Sequence, residues 1–329
     1  MAIEERVSAE SRDLSRRTWY RIAAELIGLS YIALIAGIAS VTGLFYVMFP
    51  ELGALSHDVF TRPRGTWAAA PVLLVITPLL TALIGIFFTR LLPYGYISVL
   101  LTVGGAVTVM VALDSPIAPA ISAGLLPLVV GIKSWWYPPA ILLGTILLAL
   151  ISIPWKRIGG PHLAMAVRPA TDLVDDALEE PPAGRNWIVA LMTFVAAAVT
   201  VVKLTGLRFV LFPPLVVIGF EMLGHPTICP WAKRPWWLPI ACFLTAAGGF
   251  LSSRWLGVGP LAAGLSMGWG ILVLRVFDLH IPPAIAVALL PLVMDSPTIA
   301  YPFAVGIGTL LMTLWFLLYQ RVQYRIPAG

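Results

Sequence analysis

Glu221 is the residue of this chain whose type and setting most suggest chemistry. It stands in Gly219-Phe220-Glu221-Met222, read as the one carboxylate inside a short apolar half-span. An ionisable side chain is costly in hydrocarbon, so at membrane depth it marks a solute or proton path by default. The plainer reading pairs it at the interface with Lys233 or Arg234. Asp114 and Asp278 each head a proline-broken apolar segment. There they would cap free helix N–H groups or couple a cation or proton. Arg64 stands in a turn, where an ordinary loop arginine is the commoner reading. His57, His162, His225 and His280 make no HExxH, and Cys229 and Cys242 make no CxxC. No metal site and no cofactor is therefore expected.

The prolines suggest a second kind of chemistry. Helices restart after Pro50, after Pro116 and Pro119, after Pro213-Pro214 and after Pro282-Pro283. A helix start presents unpaired N–H groups and the positive end of the dipole, which together hold an anion without a fixed cationic side chain. The residues that follow are small and apolar, which suits a small, poorly hydrated solute. The candidate substrate-binding residues are Arg64, Pro119, Ala120, Ser122, Glu221, His280, Pro282, Pro283 and Ala284.

These residues lie in a strongly apolar chain. Of 329 residues 59% are hydrophobic and 11% charged, with a mean hydropathy of +0.92. Soluble domains carry about 25% charged residues, so the bilayer is the expected surrounding. The net charge of +5 does not imply a nucleic-acid partner, because the basic residues sit at helix ends. Residues 114–150 align with 278–314 at a constant offset of 164, without a gap and with 17 of 37 positions identical. Sparser matches at the same offset continue upstream, as at Gly85/Gly249 and Arg90/Arg254. The expected fold is an all-α polytopic membrane protein of two homologous repeats. Each repeat has four to five spans and short Pro-broken half-helix segments, giving about 8–10 membrane segments in all. Between His280 and Asp295 there are 14 residues, about 21 Å of helix and too short to cross. Such breaks at matching places in two halves point to a transporter's central site.

The division is a cytoplasmic N-terminal segment 1–18, a first repeat 19–155, a polar linker 156–186, a second repeat 187–321 and a tail 322–329. The first eighteen residues are charged and lack the apolar run of a signal peptide. Five crossings per half make the repeats inverted and four make them parallel. The basic residues satisfy the positive-inside rule either way. Gly264-x-x-x-Gly268 is expected to mark close helix packing.

The second half resembles the HPP family of integral membrane proteins, named for a His-Pro-Pro motif opening a short apolar segment. The residues are His280-Ile281-Pro282-Pro283-Ala284-Ile285-Ala286-Val287-Ala288-Leu289-Leu290, followed by a last span ending Leu317-Leu318-Tyr319-Gln320-Arg321. Ile281 interrupts the motif, and Val287 stands where a threonine is usual. The family's upstream turn resembles the first half better, at Ser56-His57-Asp58 and Arg62-Pro63-Arg64-Gly65. The resemblance covers roughly 190–325 well and 45–155 weakly, and it implies transport, with nitrite as substrate in some members. The expectation is a permease or channel-like transporter for a small solute, above all a small inorganic anion such as nitrite, and not an enzyme. The alternative, a membrane-embedded enzyme acting on a lipid or isoprenoid, would need paired carboxylates or a His, Ser and Lys cluster. The chain is expected in the cell (inner) membrane, multi-pass, with its N-terminus cytoplasmic. Its expected partners are the lipid bilayer and the solute, with no nucleic acid; whether it assembles as a homo-oligomer is left open.

Overall fold

The apolar stretches form helices that are apolar on both faces, with Phe194 and Phe316 buried and other large residues exposed. The computed structural model describes residues 2–158, 170–180, 182, 184–229, 234–279 and 281–325, and they hold helices and no strand. The first half contains α1 Ala2–Thr42, α2 Glu51–Thr61, α3 Pro71–Leu91, α4 Tyr96–Ala112, α5 Ala120–Val130 and α6 Tyr137–Ile158. The connector carries α7 Ala170–Glu179. The second half contains α8 Asn186–Thr205, α9 Pro213–Gly224, α10 Trp237–Leu256, α11 Pro260–Val276, α12 Pro282–Leu289 and α13 Ala300–Arg325. Among the described residues five helices are long and apolar enough to cross a membrane: Thr18–Thr42, Pro71–Leu91, Tyr137–Ile158, Asn186–Thr205 and Ala300–Val322. Leu34, Val72, Phe87, Val189, Leu272 and Leu318 are exposed, a pattern that only lipid makes favourable. The chain is an all-α polytopic membrane protein.

Local contacts fix the direction of each helix. Arg62, just past the end of α2, bonds Asp176 and Glu179 of α7. His225, just past the end of α9, reaches the Glu180 carbonyl at 3.0 Å. Both short helices therefore end at the same face, that of the connector. The lower ends of α4 and α11 lie there too. Met110 and Val111 border a cavity with Pro182 and Arg185, and Arg275 pairs with Glu25 near the start of the apolar part of α1. At the opposite face Arg90 donates to the Lys133 carbonyl and Arg208 donates to the Leu128 carbonyl at 2.8 Å. Each half thus alternates up and down through six elements, and the halves run in the same sense. The choice between inverted and parallel, open from charge alone, falls on the parallel arrangement. Tight 3-10 turns flank three of the short helices, Phe45–Val47 before α2, Arg208–Leu211 before α9 and Leu290–Val293 after α12.

Contacts recur at the offset of 164 residues. Tyr137 Oη donates to the Ala123 carbonyl at 2.6 Å, and Tyr301 Oη donates to the Val287 carbonyl at 2.6 Å. A Cβ on Gly85 would come within 2.0 Å of the Gly124 carbonyl oxygen, and one on Gly249 within 1.9 Å of that of Ala288. These two glycines let α3 touch α5 and α10 touch α12 backbone to backbone, as small residues do between membrane helices. The halves also exchange partners. The first-half α2 packs on α12 and the second-half α9 on α5, while α1 packs on α11 and α8 on α4. The Gly264 and Gly268 pair does not do this work. A Cβ on Gly264 would meet nothing within 4 Å and one on Gly268 only a Leu29 methyl at 4.0 Å, so the expectation of close packing there is corrected to Gly85 and Gly249.

Tryptophans border both faces, Trp19, Trp236 and Trp237 at the connector side and Trp135, Trp136 and Trp255 opposite, all exposed. Indoles favour the headgroup level because one edge is polar. The opposite face carries Arg90, Lys133, Lys203, Arg208 and Arg254. Of these, Arg90, Lys203 and Arg208 lie over the rings of Trp135, Tyr96 and Tyr94. Among the described basic residues, Arg62, Arg185 and Arg275 lie toward the connector face.

Candidate functional site: converging helix starts and a buried carboxylate

The broken segments begin where α4 and α11 end. Asp114 and Asp278 have φ of 47° and 51°, a left-handed conformation that aspartate tolerates better than most residues. Ser115 N donates to Met110 O at 2.9 Å and Leu279 N to Leu274 O at 2.8 Å, the bonding of a helix C-terminal cap. The expectation that these aspartates cap the broken segment is therefore corrected. They close the preceding helices, and both are exposed. The freed polar groups beyond them are met by the protein. Ser115 Oγ lies 2.8 Å from Thr77 Oγ1 and accepts from Ile117 N at 3.3 Å, while Trp67 Nε1 donates to Pro116 O at 2.9 Å. The helix α5 then starts at Ala120 with no side-chain cap, deep in the protein, where Thr81 Oγ1 donates to the Ala120 carbonyl at 2.6 Å.

The start of α2 comes down against the start of α5. Glu51, the first residue of α2, is 1% exposed and neither carboxylate oxygen has a hydrogen bond. The Ser122 hydroxyl, fully buried and likewise without a bond, faces it, and Tyr137 lies within its electrostatic reach. The level is internal: Leu52, next in the chain, faces Gly144 of α6, whose carbonyl accepts from Tyr31 Oη of α1 at 2.8 Å. At the offset of 164 the counterparts of Glu51 and Ser122 are Leu215 and Ala286. The second half offers bare helix starts where the first offers a carboxylate and a hydroxyl.

Sequence reasoning read Glu221 as the one carboxylate of a half-span and so missed Glu51. The available signal was the acid directly after Pro50, where a helix would begin. Glu221, chosen instead, is 6% exposed. It lies in the last turn of α9 beside the connector and has a partner of its own. Pro119, Ala120, Ser122, Pro283 and Ala284 are buried, Pro282 is half-buried and Arg64 is exposed. His280 lies outside the described residues. Ala120 and Ala284 sit in the apolar core. The cavity described has neither of them in its lining. That cavity, of about 290 Å³, lies at the connector face between the halves. Its lining includes Asp114 and Ser115 from one half and Arg185, Trp187 and Phe220 from the other. It meets the broken segment at its foot.

The connector is bound to the membrane helices. Arg62, 7% exposed, donates Nη1 to Asp58 Oδ1 at 2.7 Å and to Glu179 Oε1 at 2.7 Å, and Nη2 to Asp176. Thr66 N donates to the same Asp176 carboxylate at 3.2 Å. Pro182 fills the space beside Gly224. Burial pushes the His225 imidazole below its usual range, which leaves a neutral ring to donate from Nε2 to the Glu180 carbonyl. A linker was expected here, and the described part of it is a docked helix.

Such broken helices, meeting inside a bundle of lipid-facing spans, define a polytopic membrane protein with an internal site. Residues 10–163 match the family described as the HPP transmembrane region. The match falls on the first half, whereas the residue-by-residue resemblance was argued mainly from the second. It includes Ser56-His57-Asp58 and Arg62-Pro63-Arg64-Gly65, the turn whose arginine docks the connector. No curated protein and no solved structure matches the chain.

Proposed function

We propose that the chain is a permease for a small inorganic anion such as nitrite, built from two homologous repeats and not an enzyme. The observation that carries this reading is the burial of proline-led helix starts in both halves. The helices α2 and α9 start from one side and α5 and α12 from the other, with α9 against α5 and α12. The first N–H groups of these helices bond back to the preceding turn, as Ala284 N does to Ile281 O and Leu215 N to Phe212 O, so an anion passing there would meet the positive dipole ends in place of water. The second-half starts, lined by Leu215 and Ala284–Ala286, are the neutral ones and the natural anion station. The cavity at Asp114, Ser115 and Arg185 is the vestibule, and the packed core around Ala120 and Ala284 is its closed end. The positive-inside reading of the basic residues supports a cytoplasmic connector and N-terminus in the cell (inner) membrane.

Cysteine accessibility tests this arrangement. With Cys229 and Cys242 replaced (both are buried), Ala120→Cys and Ala284→Cys should react slowly with small water-soluble thiol reagents. Nitrite should protect both. Reaction unaffected by any small anion, or none after prolonged exposure, would make the breaks structural only.

A further inference from the structure

We propose that Glu51 is a proton-binding site inside the membrane domain, which takes up and releases one proton per transport cycle. The proposal rests on the permease reading and adds its coupling ion. Three independent features meet at this residue. Its carboxylate is buried without a hydrogen bond, and the Ser122 hydroxyl facing it is also unbonded. A buried charged group without partners is strongly unfavourable, so a permanent carboxylate there has no structural use. The pair also exists in one half only, since Leu215 and Ala286 hold the equivalent positions. A packing role would be served equally well by those apolar residues.

The surroundings favour a proton over a metal cation. Hard cations take about six or more oxygen ligands, and Glu51 has one hydroxyl beside it. The elements around α2 bring few other titratable groups. Tyr137 comes from α6, with its hydroxyl on the Ala123 carbonyl. Tyr31 of α1 has its hydroxyl on the Gly144 carbonyl. The helix α12 and the short turn Thr66–Ala69 contribute none. On α2 itself, His57 and Asp58 lie about two turns further on, toward Arg62. On the proposed path the proton passes Tyr137 toward the opposite face. Tyr46 packs edge-on against Tyr137, centroids 6.3 Å apart, and its hydroxyl lies 3.2 Å from Ser134 Oγ, in a partly exposed loop. A proton enters from that face, resides on a Glu51 oxygen while the anion occupies the neighbouring helix starts, and leaves as the anion leaves. No bond other than O–H forms or breaks.

Liposomes containing the purified chain and a lumenal pH dye provide the test, with protein-free liposomes as the blank for nitrous acid leakage. Nitrite added outside should acidify the lumen with the wild type, and Glu51→Gln should lose that signal. Acidification by Glu51→Gln equal to that of the wild type would overturn the proposal, as would a wild-type signal that follows a sodium gradient instead. Infrared difference spectra of the detergent-purified protein give a readout that needs no transport. A protonated-carboxyl stretch should titrate in the wild type, shift in Glu51→Asp and vanish in Glu51→Gln, with Ser122→Ala moving the pH at which it titrates. If that band is present but nitrite does not move, the choice of solute fails and the proton site stands. If no such band depends on Glu51, the proton site fails whatever the flux.

Discussion

Arg62→Met is expected to cost about 3–5 kcal/mol of stability, because it leaves buried carboxylates without the guanidinium between them. Arg62 holds Asp58 within its own half and Asp176 and Glu179 on the connector. Its planar fork serves several oxygens at once, so Arg62→Lys should recover only part of the loss. The melting temperature in detergent should fall clearly. Limited proteolysis should then cut within the connector, where the wild type resists. Unchanged melting with a protected connector would mean that the connector is held by its apolar contacts, such as Pro182 against Gly224.

Ala284→Phe is expected to abolish anion flux while leaving an inserted, folded protein. Ala284 lies in the first turns of α12, fully buried, and its neighbour Ile285 packs closely on Gly270 of α11. Overpacking of such a position costs about 1–3 kcal/mol, a loss that folding can absorb. The blocked helix start has no such reserve, since a ring there fills the space at the dipole end that the solute would need. Leu272→Phe, on an exposed position of α11, is the size-matched control and should transport normally. Equal loss of flux in both variants would show that the effect is one of general packing.

The sequence carried the fold further than the site. Apolar length and the offset of 164 were enough for the helix inventory, because hydrocarbon allows only helices or closed barrels. Residues 114–150 and 278–314 led directly to the broken segments for the same reason: proline removes a donor that lipid cannot replace. The sense of the repeats was not legible from charge alone. It depends on which face α2 and α9 end at, and that became clear through Arg62 and His225, residues meeting the connector far away in sequence. Glu51 was hidden by its position at an element boundary, where an acid usually means a solvated helix end. Only the packing of α5 and α6 around it makes it internal. Asp114 and Asp278 were expected to cap the broken segments and instead close the preceding helices, because a left-handed φ leaves no trace in residue type beyond aspartate's tolerance for it. Gly264 and Gly268 have the spacing of close contact, yet close contact needs a facing backbone, which Gly85, Gly249 and Gly308 have and these two lack.

Nitrite uptake into liposomes containing only the purified chain tests the central claim most directly. Uptake should exceed that of protein-free liposomes, saturate with nitrite, fall when other small monovalent anions compete and be absent with Ala284→Phe. Folded, inserted wild-type protein that carries neither nitrite nor any other small inorganic anion, in either direction, would contradict the account.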